Sequence, residues 1–453
     1  MFSPANTPRF TLTLPGLAHD FQVLAFQGWE ALNEPYRFEI ELISEKSDWD
    51  LAQLLHRPAW LGLAPGGSGI HGLLGAIVQG DSGRRLTRYR LELVPRLAYL
   101  AQRTNSRIFQ NLTVPQILGQ LLEEHGILEG AYRLALGPTP YPARDYCVQY
   151  GESDLHFLDR LCEEEGIHYH FEHQPEGAVL VFGDDATSFP RLDATAYHPG
   201  SGQVADRPVI RRLQVGLQTR STQLTLRDQD PLQPRLRLES RSDAEQQPTL
   251  EHYAFPAGFH DRTRGKQLSS RGLEALRVDS QTAQGQGDQP TLATGHFLPL
   301  TEHPRADWNQ LWLLTRIEHQ GRQPQVLEEG LGTPQLLTLP DDADWTQGYR
   351  NLFAMPFPGN CPSGPCRAIP NRGCSANRAP WSPVRLEKKS TAMPLAGSRC
   401  NSIGIAKARR MSAPVAGCAS PAVGRAIATA PWPCHASAWR YWSAFSKGIP
   451  TSR

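Results

Sequence analysis

The spacing of apolar and polar positions changes period twice along this chain. Near the N-terminus it alternates. "RFTLTL" (9–14) is closed by Pro15-Gly16. "YRFEIELISE" (36–45) sets Tyr36, Phe38, Ile40 and Leu42 on one side of an extended backbone, with Arg37, Glu39 and Glu41 on the other. "GIHGLLGAIVQG" (69–80) and "RRLTRYRLELVPRLAYL" (84–100) read as further strands punctuated by glycine. Short strands with frequent turns predict a barrel or sandwich.

Between about 100 and 195 the period becomes helical. In "NLTVPQILGQLLEEHGI" (111–127), Thr113 and Gln116 have capping-box spacing, and Pro115 sits in the first turn, where its missing N–H costs nothing. Leu112 and Ile117 have staple spacing, and Ile117, Leu118, Leu121 and Leu122 form one face. Gly126 is the expected stop, with Ile127 folding back on Leu122.

"GESDLHFLDRLCEEEGIHYHFEH" (151–173) repeats this plan. Ser153 is the expected N-cap and Asp154 complements the positive helix end. Phe157, Leu158, Leu161 and Cys162 make the apolar stripe, Gly166 ends the helix, and Ile167 begins a strand. On that strand Ile167, Tyr169 and Phe171 point one way and His168, His170 and Glu172 the other. "AVLVFG" (178–183) is the expected hairpin partner. The polar side is expected to meet solvent or a neighbouring subunit.

Alternation returns after 200, in "QVGLQTRSTQLTLRD" (214–228) and "PRLRLESRSD" (234–243). A helix is predicted over 261–278, followed by "GHFLPL" (295–300) and "NQLWLLTRIEHQG" (309–321). The order is barrel, helical insert, barrel.

Charge and cysteine separate a body from a tail. Net charge is +1 over 453 residues, yet residues 361 onward hold fourteen Lys/Arg against one acid, Glu387. The first 360 residues therefore carry a net −12. Only Cys147 and Cys162 lie in the body, while six cysteines lie in the tail. The acidic body argues against nucleic acid as a partner. No apolar run approaches the roughly 18 residues of a membrane span, and "MFSPANTPRFTLTLPG" lacks the basic start and apolar core of a secretory signal. Assembly in the cytoplasm is expected.

The candidate chemistry is sparse. His168, His170 and Glu172 share one strand side and are the candidate metal ligands. Zinc sites usually draw three or four ligands from several elements, and the body offers no second His/Cys cluster, so a polar strand side is the expectation. Cys162 falls on the apolar helix stripe and reads as a structural thiol. Glu163, Glu164 and Glu165 read as a solvated helix end. No P-loop, dinucleotide fingerprint, HExxH or GxSxG occurs. No catalytic residue and no cofactor are assigned.

The stretch 151–173 resembles the signature of type VI secretion spike proteins (VgrG) in their phage tail-hub-like domain. "YRFEIELIS", "GIHGLLGAIVQG", "YRLELVPRLAYLAQRTNSRIFQNLTVPQIL", "GHFLPL", "LLTRIEHQG" and "YRNLFAMPF" follow in the family's order, over roughly residues 8–357. The signature positions are Gly151, Ser153, Asp154, Phe157, Leu158, Leu161, Glu164, Gly166, Ile167, Tyr169 and Phe171. The resemblance implies a mainly β fold with an α+β insert: two related β-barrel subdomains of a tail-hub-like domain. Its expected parts are a first barrel over 1–98, an insert with two helices and a hairpin over 99–195, and a second barrel over 196–357. It further implies a homotrimer on the hexameric Hcp tube, among baseplate proteins, carrying effectors or adaptors and injected without a signal peptide. The target membrane is met only through a needle that follows an OB-fold, and the hub has no catalytic role. A phage or contractile-particle baseplate hub shares this fold. A metal-dependent hydrolase built on His168, His170 and Glu172 is the alternative of another class.

Residues 358–453 depart from the family. In the shifted frame, codons for "AMPLAGSRCNSIGIAKA" (392–408) can be chosen to read DAFGRVQVQFHWDREG, a string expected of the family's OB-fold and absent from the chain as written. The tail therefore reads as frameshifted and non-native, without a specific core.

Overall fold

A computed structural model describes residues 9–356, apart from 66, 139, 200–206, 232, 327–344 and 346. The tail over 358–453 lies outside the described residues.

The first segment holds strands β1 (Thr11–Thr13), β2 (Gln22–Ala31) and β3 (Glu34–Ser44), a one-turn helix α1 (Leu51–Leu54), then β4 (Pro58–Gly62), β5 (Gly69–Ser82) and β6 (Thr87–Val94). On β3 the alternation does what it predicts: Tyr36, Phe38, Ile40 and Leu42 are buried, each worth about 2 kcal/mol in apolar transfer. The other side is exposed only near Arg37. Glu41 is buried against Arg88 of β6 at 3.2 Å, and Ile43 packs with Leu24 and Leu86. The extension expected over "RLAYL" is instead a 3-10 helix, Arg96–Gln102, because Leu97 and Leu100, three apart, both turn into the core.

The insert runs β7 (Thr104–Phe109), α2 (Val114–Glu124), β8 (Tyr132–Ala135), β9 (Cys147–Ser153), α3 (Asp154–Glu165), β10 (His168–Gln174) and β11 (Gly177–Gly183). The predicted entry to α2 is present: Gln116 Oε1 accepts from the Thr113 backbone N–H at 2.9 Å. At its end the Ile127 N–H returns to the Leu122 carbonyl at 2.9 Å. β10 and β11 form the predicted antiparallel hairpin, and β8 joins β11 in parallel.

The remaining elements are β12 (Thr195–Ala196), β13 (Ile210–Leu217), β14 (Gln223–Asp228), β15 (Leu238–Asp243), β16 (Glu251–Ala254), α4 (Arg262–Arg277), β17 (Gln281–Gly287), β18 (Phe297–Thr301), β19 (Leu311–Leu313), β20 (Arg316–Arg322) and β21 (Gly348–Pro356). α4 answers the predicted 261–278 helix. It lays Leu268, Ser269 and Leu273 on the β15–β14–β16 sheet, where Ser269 Oγ meets Ser240 and Ser242 at 3.0 and 2.9 Å.

The fold class read from the sequence is the observed one. Ten strands, drawn from both parts expected as barrels, are hydrogen-bonded into one antiparallel sheet, ordered β1-β4-β5-β6-β3-β2-β20-β21-β17-β13, while β12-β18-β19 and β15-β14-β16 form separate three-stranded sheets. The seam of the ten-stranded sheet is β2–β20, from Ala25↔Arg322 to Ala31↔Arg316, so segments nearly 300 residues apart become neighbours. Four polar side chains of the seam, Glu30, Glu318, His319 and Gln320, are buried. His319 Nε2 meets Glu30 Oε1 at 3.0 Å and His319 Nδ1 meets the Tyr349 hydroxyl at 2.6 Å. Gln27 donates to Glu318 at 2.7 Å.

Candidate functional site

The segment 150–173 carries four histidines, a cysteine and seven acids, and its ends are held differently. At the start of α3, Ser153 Oγ accepts from the His156 N–H at 3.2 Å, the predicted cap. Asp154 does more than face the helix dipole, because its side chain is fully buried. Oδ1 accepts from Gln149 Nε2 at 2.7 Å and Asn105 Nδ2 at 3.2 Å, and Oδ2 meets His125 Nε2 at 2.8 Å and Arg103 Nε. Burial alone would raise this carboxyl, but the bonds from Gln149, His125, Arg103 and Asn105 outweigh it and hold it at about 2. Glu124, at the end of α2, takes Arg103 and Arg107 from the other side. One buried carboxylate thus joins α2, α3, β7 and β9.

At the far end the expectation of a solvated acidic turn is corrected. Glu165 is buried between Arg144, at 2.7 Å, and Arg264 of α4. Glu164 bridges Arg144 at 2.6 Å and Arg160 at 3.0 Å. Glu163 is the member without such a cation, and burial beside Glu164 pushes it up to about 7. Three acids at a helix C-terminus oppose the dipole, and the arginines offset that cost. Gly166 takes φ 70°, as the stop requires, and Ile167 N–H reaches the Cys162 carbonyl at 2.9 Å. Arg271 of α4 donates to the Glu165 carbonyl at 2.6 Å and to Asp184 at 2.8 Å. The insert is therefore clamped to the second half of the body through α4.

Strand β10 is buried on both sides, which corrects the solvated polar side expected for it. Tyr169 and Phe171 enter the main core with Phe157, Leu158 and Leu161. The histidines face an aromatic layer. His168 Nε2 bonds Ser188 Oγ at 2.9 Å and its ring stacks on Phe189 at 4.2 Å. His170 packs between Phe189 and His296, at 5.5 and 5.9 Å, and neither ring nitrogen meets a hydrogen-bonding partner in the protein. Desolvation holds His168 at about 3, His170 at about 2 and His173 at about 4. Glu172 turns to Arg133 at 2.6 Å. Among the described residues no group of three His, Cys, Asp or Glu side chains is placed to hold a metal ion.

Gly151 stands at φ 60° beside the bulge between β7 and β9, its N–H on Ser106 Oγ at 3.1 Å. Phe157, Leu158, Leu161, Ile167 and Tyr169 are wholly buried, and Cys162 is a buried thiol raised well above its ordinary value by desolvation. The signature is thus a packing and ion-pairing code. Sequence reasoning missed its partners. Asn33, at the β2–β3 turn with φ 62°, accepts from Tyr169 N–H at 2.7 Å and donates its own N–H to the Tyr169 carbonyl at 3.0 Å. The short "LNE" turn between two strands was the available signal. Arg103, Arg144, Arg264 and Arg271 carried none, being ordinary surface letters until the fold collects them.

A sequence profile described as phage tail baseplate hub (GPD) matches residues 29–325. The type VI secretion system spike protein VgrG4b of Pseudomonas aeruginosa is 57% identical over 358 residues, which is 78% of this chain and 44% of that protein. VgrG5 of the same organism is 56% identical over 357 residues, covering 78% and 45%. The chain thus spans under half the length of these relatives. Among solved structures, the E. coli c3393 protein is described as a type VI secretion component similar to the T4 phage tail proteins gp27 and gp5. It aligns at TM-score 0.58 and 20% identity, covering 80% of each chain. The 43 kDa tail protein of prophage MuSo2 from Shewanella oneidensis aligns at 0.52 and 12% identity, covering 77% of this chain and 97% of that one. At such identities the structures bear on the fold.

Proposed function

The chain belongs to the phage tail baseplate hub family, and from that premise we propose that it is the hub of a type VI secretion spike. In this reading it is a structural and delivery part without catalytic residues or cofactor. It assembles in the cytoplasm as a homotrimer on the Hcp hexamer, among baseplate proteins, and leaves the cell by injection with effectors or adaptors attached. Nucleic acid is not a partner. The observation that carries the reading is identity of 57% sustained over 358 residues to a named spike protein.

The division into parts at 98, 195 and 357 belongs to the same proposal. So does the out-of-frame reading of 358–453, which would deprive the hub of its OB-fold and of the needle that meets a target membrane. Sequencing the gene across codons 350–365 tests the frame. Cosedimentation with Hcp rings from the same genome tests the hub, and a chain that stays in the supernatant at saturating Hcp sinks the reading. The baseplate-hub alternative is favoured by the family description itself. Neighbouring sheath and Hcp genes, as against capsid genes, separate the two. The hydrolase alternative requires zinc bound one-to-one in the purified protein.

A further inference from the structure

The two sides of β10 are closed by very different amounts of structure. Tyr169 and Phe171 enter the main core, which runs through β2, β3, α2 and α3. The histidine side is closed by a thin cover of two short pieces, 186–189 and 294–297. That cover has only a small satellite core of its own, Leu32, Ala186, Phe189 and Leu313, with Phe297 half-buried beside them. Three backbone bonds tie it down. Leu192 N–H donates to the Phe297 carbonyl at 2.9 Å, Phe297 N–H to the Pro190 carbonyl at 2.8 Å, and Gly295 N–H to the Leu314 carbonyl at 2.9 Å.

The cover lies directly on the rings of His168 and His170. Phe189 stacks on His168 at 4.2 Å, and a Cβ added to Gly295 would lie 2.4 Å from the His170 ring. Of the four ring nitrogens, one has a hydrogen-bonding partner in the protein: His168 Nε2, with Ser188 Oγ at 2.9 Å. A charged ring would need a carboxylate, and those nearby are engaged. Asp184 is held by Arg271 at 2.8 Å, Glu172 by Arg133 at 2.6 Å and Glu30 by His319 at 3.0 Å, and Asp185 accepts the Thr187 N–H at 2.9 Å. Glu172 Oε1 stands 4.0 Å from His170 Nε2, beyond hydrogen-bonding reach. Arg271 and Arg133 oppose a further positive charge, as does His296 at 5.9 Å from His170. A proton on either ring therefore needs water, and the thin side is the route that leaves the main core intact.

We propose that the cover, 186–189 with 294–297, is a proton-operated flap that lifts from His168 and His170 while the main core stays packed. Open, it bares an imidazole and aromatic face that the closed form hides. Desolvation holds both rings below the ordinary histidine value, so acid favours the open form, in which they titrate normally. Between pH 7.5 and pH 5 each ring multiplies the open population by about 30, and the two together by about 1000.

Hydrogen exchange with mass spectrometry on the full chain, corrected for the intrinsic rate at each pH, tests it. Peptides over 186–192 and 294–297 are expected to lose about 1000-fold in protection between pH 7.5 and pH 5. At pH 5 they should exchange well before the α2 peptide 114–124, because the same two protons also favour global unfolding and only a flap separates the two regions. His170→Leu is expected to cut the loss to about 30-fold, and the wild-type comparison decides alone if that variant fails to fold. Cover and α2 peptides that exchange together at pH 5 overturn the flap. So does a cover equally protected at both pH values, or a folded variant that keeps the full wild-type loss.

Discussion

Acid should loosen this fold through its buried histidines before it reaches the ion-paired carboxylates. His168 and His170 are wholly inaccessible, and burial holds them at about 3 and about 2. Around them stand Ser188, Phe189, His296, Gly295, Asp184, Arg271, Arg133 and Glu172. The one buried carboxylate nearby, Asp184, is committed to Arg271, Tyr141 and the Gly137 N–H. Both imidazoles are shifted downward, so below about pH 6.5 the unfolded chain binds more protons than the folded one. Their contribution is intact above that pH and is lost as pH falls toward the folded values. At about pH 5 each ring costs about 2 kcal/mol, and the pair about 4. The figure is insensitive to the exact folded value, since both rings stay neutral there. Asp154, held at about 2, adds its own loss only below the ordinary carboxylate range. Glu163, raised to about 7, works in the opposite sense and gains stability as pH falls, so the absolute slope is a mixture. A variant isolates the histidine part. His170→Leu removes a ring that makes no hydrogen bond in the protein. Urea unfolding of both proteins at pH 7.5 and at pH 5 should show wild type losing about 2 kcal/mol more than the variant between the two conditions. Equal losses would refute the buried, neutral assignment.

Other changes probe the signature segment. Asp154→Ala strips a buried carboxylate from two arginines and should cost about 3–5 kcal/mol in urea unfolding. Asp154→Asn should cost less, and an equal loss for both would argue that packing, not charge, matters there. A double-mutant cycle on Glu165→Gln and Arg264→Gln should give a coupling of about 1–3 kcal/mol, and additivity would mean α4 does not clamp the insert. Gly295 sits at φ 73°, and an added Cβ would lie 2.4 Å from the His170 ring. Gly295→Ala should therefore lower stability by about 2 kcal/mol or more, with part recovered when His170 is also alanine. Limited proteolysis followed by mass spectrometry should leave a fragment ending near residue 350, and a protected tail would count against the out-of-frame reading.

What the sequence determined by itself was local. Alternation located β3, helical spacing located α2, α3 and α4, and the caps at Thr113 and Ser153 with the stops at Gly126 and Gly166 followed from backbone chemistry that needs only near neighbours. The apolar stripe of α3 and the burial of Cys162 were readable for the same reason. What only the tertiary structure decided was the fate of the polar letters. Period-2 alternation says that His168 and His170 leave the core side of β10. It cannot say that Phe189 and Gly295, about 20 and 125 residues on, cover that second side. Nor can it say that Asp154, Glu165 and Glu30 find cations or histidines from segments tens to hundreds of residues away. A charged side chain reads as exposed in a local pattern because burying it alone is prohibitive. It is buried here because the fold delivers its partner, and that pairing depends on the β2–β20 seam and on the α3–α4 contact, which no local period encodes.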